Sequence, residues 1–201
     1  MQGKEEKFYL VSGGSTARTI KDRILVAQEN GLELVQQQEI TFDDISKIKE
    51  INMLFSSFYH ELWHVNTWEK YSEMYEYICH IKQGGEGDIF EAMAYLYWIE
   101  YIAHVDTVKM EDTEIMNTFC RNFVNTNWHR VYGGYQDYIK QLPYFLVRSH
   151  YLDVFEDLTD KIQYKQLRDA TYEFDLLSKQ LLDDCQMEEK EKAREIKKKI
   201  V

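Results

Sequence analysis

The hydrophobic residues of the chain are densest between residues 88 and 107, where a helical pattern is apolar on every side. Along a helix they form three stripes: Ile89, Met93, Leu96 and Ile99; Phe90, Ala94, Tyr97 and Tyr101; Trp98, Ile102 and Val105. A helix that is apolar all round is a buried helix. Because Glu91, Glu100 and His104 interrupt it, the stretch is too polar for a membrane span, and it predicts the central helix of a bundle.

Helical spacing also governs most of the chain on either side of this stretch. The predicted helices cover about 43–65, 68–83, 88–107, 113–142 with a break at Gly133–Gly134, 143–157 and 167–181. Asp43 or Asp44 is expected to cap the first helix, Asp88 the central one, and Pro143 to occupy the first turn of the fifth. Residues 187–201 are a run of Glu and Lys, which is typical of a solvated helix end.

The first forty residues have a different pattern. Residues 7–11, KFYLV, predict a strand that stops at the turn SGGS, a helix is then expected from Thr16 to about Asn30, and residues 32–40 predict a second strand. The GGST turn offers backbone amides to an anion, but it lacks the Gly-Lys-Ser/Thr of a phosphate loop, so a plain turn is favoured.

These elements predict a mainly α fold, a helical bundle around a central buried helix at about 88–107, with a small α/β N-terminal segment. Three parts are expected along the chain. Residues 1–42 form the α/β segment packed on the bundle, residues 43–160 form the bundle core, and residues 161–201 form a C-terminal amphipathic helix with a charged tail.

Charge and cysteine content narrow the environment and the partners. The formal net charge is −11, which argues against direct nucleic-acid binding, because phosphate contacts need clustered Lys and Arg. An acidic surface favours solubility, and it can also bind a basic surface of a protein partner. The three cysteines, Cys79, Cys120 and Cys185, form no C-x-x-C pair. With no leader sequence or membrane span visible, they predict reduced thiols in a cytoplasmic protein.

One motif has the spacing of a metal site, His60-Glu61-Leu62-Trp63-His64. Two histidines at i and i+4 share a helix face and can bind one Zn²⁺, and the glutamate beside the first can act as general base. Glu91 follows in the sequence Glu-Ala-Met-Ala, 27 residues after His64. Together the two patches resemble the gluzincin metalloproteases. That resemblance implies that Glu91 on a following helix completes a zinc site with His60 and His64.

A zinc hydrolase would also need a group that stabilises an oxyanion, for which His104, His129 and Tyr135 are candidates. The geometry of the motif helix supports a different interpretation. If Phe58, Leu62 and Val65 face the core, His60 and His64 lie on the polar side of the helix, where we expect them to be exposed.

A second resemblance uses residues 96–142. Its motifs are an aromatic pair and a glutamate (Tyr97, Trp98, Glu100), a Met-Glu-Asp turn at 110–112, Trp128, and the terminal Tyr138-Ile139-Lys140. They look like an uncharacterised family of small helical proteins found in bacteria and their phages. The chain departs from that pattern at Lys140-Gln141, where an Arg is expected, and at the glycine pair 133–134. The resemblance implies no enzymatic activity, and it suggests a phage–host context.

Other polar residues of the predicted core have structural explanations. Glu100 and His104 lie one turn apart on the central helix, and Arg121 and His129 are their expected partners. A diiron bundle needs two Glu-x-x-His pairs, whereas only Glu61 and His64 form one. We therefore favour a non-enzymatic cytoplasmic interaction or regulatory protein without a cofactor. The alternative is a zinc-dependent hydrolase with His60, His64 and Glu91 as ligands and Glu61 as base.

Overall fold

The computed structural model describes residues 9–11, 17–20, 23–27, 49–130 and 133–201. Within them the fold is mainly α, as predicted. The helices are α1 (Lys49–Thr67), α2 (Ser72–Lys82), α3 (Ile89–Thr107), α4 (Thr113–Asn125), α5 (Gly134–Tyr151), α6 (Phe155–Thr159), α7 (Lys165–Asp183) and α8 (Glu189–Ile200), with a 3-10 turn at Val108–Met110. In the described part of the chain, no helix is both long and apolar enough to cross a membrane.

The chain divides into two compact units. The first comprises Met1–Lys70 with Lys109–Asp112, and the second comprises Tyr71–Val108 with Thr113–Val201. The principal division therefore falls near residue 70 rather than at the expected boundaries 42 and 160. The segment 161–201 belongs to the same unit as the central helix.

The first unit contains a small sheet and α1. Its strands are β1 (Tyr9–Val11), β2 (Ala17–Ile20) and β3 (Arg23–Ala27) in the order β1-β3-β2, with β1 parallel and β2 antiparallel to β3. Helix α1 contacts β2 and β3.

The sheet confirms the predicted strand over its described residues 9–11, but the helix expected from Thr16 to Asn30 is wrong. Ile20 pairs with Arg23, and the apolar residues assigned to a helix face belong to strands. β-Branched residues such as Thr19, Ile24 and Val26 favour a pleated surface, and pairing with β1 overrides the short helical spacing. The GGST turn, the predicted strand 32–40 and the caps at Asp43 or Asp44 lie outside the described residues.

In the second unit the central helix α3 is confirmed. It contacts α2, α5 and α8, which explains why apolar residues are needed on every side of it. Asp88 caps its N-terminus by accepting a hydrogen bond from the Phe90 amide at 2.8 Å. Of its two predicted core residues, Ile99 is buried whereas Leu96 is only half-buried.

Helices α4 and α5 correct the prediction for Pro143. Helix α4 ends at Asn125, and α5 begins at the glycine pair that was read as a break within one helix. Gly133 has φ 95°, a left-handed conformation that favours glycine. Pro143 lies inside α5 rather than in a first turn. The helix continues through it because Leu142, Phe145 and the residues around them are buried, and this packing outweighs the hydrogen bond that proline cannot donate.

The C-terminal run of Glu and Lys is not a solvated helix end, contrary to the prediction. It forms α8, which packs on α3 with Ala193, Ile196 and Ile200 buried. These three residues follow the spacing i, i+3, i+7, so they form an apolar stripe within a strongly charged segment. The prediction considered only the density of charged residues and therefore missed this apolar stripe.

Candidate metal centre

The two histidines of the HELWH motif meet on one side of α1. Their Nε2 atoms are 2.9 Å apart, and the rings lie edge to face with centroids separated by 4.6 Å. In a tetrahedral zinc site with Zn–N bonds of 2.0–2.1 Å, two ligand nitrogens are about 3.3 Å apart. Small rotations of the two rings that move the Nε2 atoms a few tenths of an ångström apart would therefore give the spacing of a zinc site.

Both histidines are buried, which corrects the expectation that they lie on an exposed outer face. His60 is 8% exposed and His64 is 5% exposed. The prediction treated polarity along the helix as a sign of solvent exposure. A polar pair can be buried when its members hydrogen-bond to each other, and His60 and His64 do so.

The hydrogen bond between the two rings depends on their tautomers. If both rings are neutral, one Nε2 carries a hydrogen and donates it to the lone pair of the other Nε2. Binding a metal requires both Nε2 lone pairs, so the donating ring would move its proton to Nδ1. The same arrangement therefore serves either as a buried hydrogen-bonded pair or, after a change of tautomer, as a bidentate ligand.

The motif helix also positions the residues beside the histidines. The Trp63 ring meets the His64 ring edge to face at 5.5 Å, and the Thr67 hydroxyl donates to the Trp63 carbonyl at 2.8 Å. Glu61 is half-buried. On a helix it lies roughly 100° from His60 and 60° from His64, which places it at the flank of the histidine face.

Glu91, the third ligand implied by the gluzincin resemblance, belongs to the second unit. It lies in the first turn of α3, accepts a hydrogen bond from the Tyr95 hydroxyl at 2.6 Å, and is 3.8 Å from the Lys197 ammonium group. Burial and this hydrogen bond together raise the pKa of Tyr95. Glu91 therefore has partners of its own close to the Asp88 cap.

The polar residues of the central helix have partners other than those expected. Glu100 accepts a hydrogen bond from the Tyr144 hydroxyl at 2.8 Å, and the His104 ring packs against the Tyr144 ring at 3.9 Å. Arg121 and His129, the predicted partners, are both exposed. The sequence prediction did not include a tyrosine hydroxyl as the partner of Glu100, although tyrosine is abundant in the chain.

The three oxyanion candidates differ in accessibility. His104 is buried, whereas His129 is exposed and packs its ring against Tyr164 at 4.1 Å. Tyr135 is exposed and stacks on Tyr138. The three cysteines are free thiols, of which only Cys120 is buried.

A second titratable cluster was missed in the sequence. The Asp175 carboxylate is buried and contacts His150 Nε2 at 2.7 Å and the Lys179 ammonium group at 3.0 Å. Burial alone would raise the pKa of Asp175, but the hydrogen bonds from His150 and Lys179 outweigh it and lower that pKa. The i, i+4 spacing of Asp175 and Lys179 was visible, whereas His150 comes from α5.

No protein-family model, curated protein or solved structure matches the chain. The resemblances to gluzincins and to the small helical proteins of bacteria and phages therefore remain hypotheses, and function has to be argued from the residues themselves.

Proposed function

We propose that the protein is a zinc-dependent hydrolase whose metal is held by His60 and His64. The observation that supports this proposal is the approach of the two buried Nε2 atoms to 2.9 Å. The main argument against the motif was the expected exposure of its histidines. Both imidazoles are buried on one helix face, and their Nε2 atoms lie within a few tenths of an ångström of the separation in a tetrahedral site, which removes that argument.

In this proposal each residue of the motif has a distinct role. His60 and His64 each contribute an Nε2 lone pair, and Glu61 accepts the proton of the attacking water as general base. When bound, zinc lowers the pKa of water and polarises a carbonyl group. Glu61 is half-buried, so its carboxylate remains partly accessible to water, as this role requires.

A third protein ligand is required, and the gluzincin resemblance implies Glu91. To bind the metal, its carboxylate would have to leave Tyr95 and Lys197. Glu91→Gln, compared with wild type for zinc affinity, tests this ligand: weaker binding supports it, and an unchanged affinity excludes it.

Metal analysis of protein purified without a histidine tag tests the proposal. We expect roughly one zinc per chain, lost in His60→Ala and His64→Ala and retained in His80→Ala, which removes an exposed histidine of α2. Zinc-free protein that does not take up zinc on dialysis, or zinc that survives both motif substitutions, would contradict the proposal.

Glu61→Gln separates hydrolysis from metal binding. It should keep the zinc but reduce the cleavage of a casein digest, followed by mass spectrometry, by about 10²- to 10⁴-fold. Zinc in a wild-type protein that leaves peptide, ester and phosphodiester test substrates intact would show a structural site instead of an enzyme.

The non-enzymatic interaction function favoured by the sequence is a second candidate, supported by a different part of the molecule. In the second unit, the C-terminal helix α8 lies on an acidic surface formed by α2, α3 and α7. This intramolecular packing supports a role in binding basic helices.

A further inference from the structure

The surface beneath α8 combines acidic side chains with an apolar centre. We call it the α8 groove and define it by Glu73 of α2, the α3 cap Asp88, Glu91 and Trp98 of α3, and Glu173 of α7. Each of these residues pairs with a side chain of α8. The groove therefore matches an amphipathic helix in both its charge and its apolar character.

The apolar part of the fit comes from a short stripe on α8. Ala193 and Ile196 are fully buried, Ile200 is nearly so, and helix α8 packs along α3. Lys192 is also buried, with its ammonium group 5.8 Å from the centre of the Trp98 ring. Its aliphatic stem covers apolar surface while its charge lies over an aromatic face.

The charged part of the fit comes from lysines that reach three different helices. Lys197 pairs with Asp88 at 2.5 Å and lies 3.8 Å from Glu91, Lys199 pairs with Glu173 at 3.2 Å, and Lys190 pairs with Glu73. At the start of α8 the Trp98 indole donates a hydrogen bond to Glu189. Lys198 is different, because its partner Glu195 belongs to α8 itself.

This docking has the properties of a reversible contact. Helix α8 has 12 residues, a length at which an isolated helix is marginal in water. Ion pairs between exposed side chains contribute little and weaken with salt. The remaining stabilisation comes from three small or medium apolar residues and from the contacts of Trp98 with Lys192 and Glu189. A competing helix with larger apolar side chains could therefore replace α8.

We propose that the α8 groove is a binding site for a basic amphipathic helix of a partner protein, and that α8 is its intramolecular occupant. The partner helix carries apolar residues at i, i+3 and i+7 and Lys or Arg on both sides of that stripe, as α8 does. Recognition follows the helix-in-groove mode. Because α8 is attached to the chain, it competes at an effective concentration of about millimolar, and the partner has to displace it.

Peptide binding to the full-length protein tests this proposal. One probe is a fluorescent peptide with the sequence of residues 187–201; a second is a designed peptide with Leu at i, i+3 and i+7 and Lys at the other positions. Wild-type protein should bind both weakly. Lys197→Glu, which removes the ion pairs of α8 with Asp88 and Glu91, should bind both about tenfold tighter, because the tethered competitor is weakened.

Lys198→Glu is the matched control, since it makes the same charge change at the neighbouring residue without touching the groove. It should leave the affinity for both peptides at the wild-type value. Adding Glu73→Lys and Glu173→Lys to the Lys197→Glu protein should weaken binding again. Circular dichroism checks that every variant is folded.

Three results would overturn the proposal. One is a folded Lys197→Glu protein that binds neither peptide more tightly than wild type. Another is equal binding of an acidic version of the designed peptide, which would show that the groove does not select basic helices. The last is binding of the 187–201 peptide but not of the designed peptide. That result would restrict the groove to helix α8 itself, either within one chain or between two copies of the protein.

Discussion

At the scale of single residues, buried charge in the second unit is stabilised by specific partners. Asp175 lies on α7, and its buried carboxylate contacts His150 of α5. Without His150 and Lys179, its ionised form would be disfavoured by desolvation. Its charge also acts on its surroundings, since it adds to the effect of burial in raising the pKa of Tyr101.

Asp175→Asn should destabilise the protein by about 1 to 3 kcal/mol near neutral pH, the usual cost of losing hydrogen bonds to a buried charged group. The native pKa of Asp175 is lowered, so its contribution is present above the unfolded pKa of about 3.9 and is lost as the pH falls through the native pKa. Urea unfolding at several pH values should show the variant and wild type converging as the pH falls below about 4.

Asp169→Asn on the same helix is the control, because Asp169 pairs with Lys165 at an exposed position. Its stability should stay within about 0.5 kcal/mol of wild type. If Asp175→Asn differed from wild type by the same amount at every pH, the ionised carboxylate would not be the stabilising group.

At the scale of elements, helix ends are fixed by local chemistry and helix faces by their neighbours. The Asp88 cap of α3 was visible in the sequence because a cap acts on the amide two residues later. Pro143 shows the opposite case. Its position inside α5 depends on burial of the residues around it, and a proline alone favours a helix start.

Asp88→Ala should cost about 0.5 to 2 kcal/mol in the free energy of unfolding, because the Phe90 amide loses its acceptor. Asp88→Asn keeps an oxygen in the capping position and should retain most of the stability, although it weakens the contact with Lys197. Thermal or urea unfolding of the two variants decides the point. Equal losses would assign the effect to the ion pair instead of the cap.

At the scale of the whole molecule, the second unit is built around α3. Helices α2, α5 and α8 all pack on it, and the sequence predicted this role from its apolar residues on every side. A defect inside α3 is therefore expected to lower the stability of the entire unit rather than loosen one of its surfaces.

Ile99→Ala should destabilise by about 2 to 5 kcal/mol, because Ile99 is only 1% exposed and its truncation leaves a cavity. Leu96→Ala should cost less, since Leu96 is half-buried. The control is Leu176→Ala on α7, where the side chain is 60% exposed and the loss should stay within about 0.5 kcal/mol. A loss below about 1 kcal/mol at Ile99 would show that α3 is not the centre of the unit.

The sequence by itself determined the features that depend on near neighbours along the chain. Apolar periodicity identified the mainly α fold and the central helix, the side chain of Asp88 identified a helix start, and the HELWH spacing brought His60 and His64 to the same face. In each case the interacting residues are at most a few positions apart. These patterns therefore act through the geometry of a single helix.

Tertiary structure decided the features that depend on partners far along the chain. The strands at residues 17–27 form through pairing, α8 is buried because it packs on α3, and Asp175 is stabilised by His150, 25 residues away. The burial of His60 and His64 was also decided by packing, although the hydrogen bond between them joins residues only four positions apart. Periodicity records which residues are apolar, but it cannot show which polar residues acquire a partner, and desolvation depends on that partner.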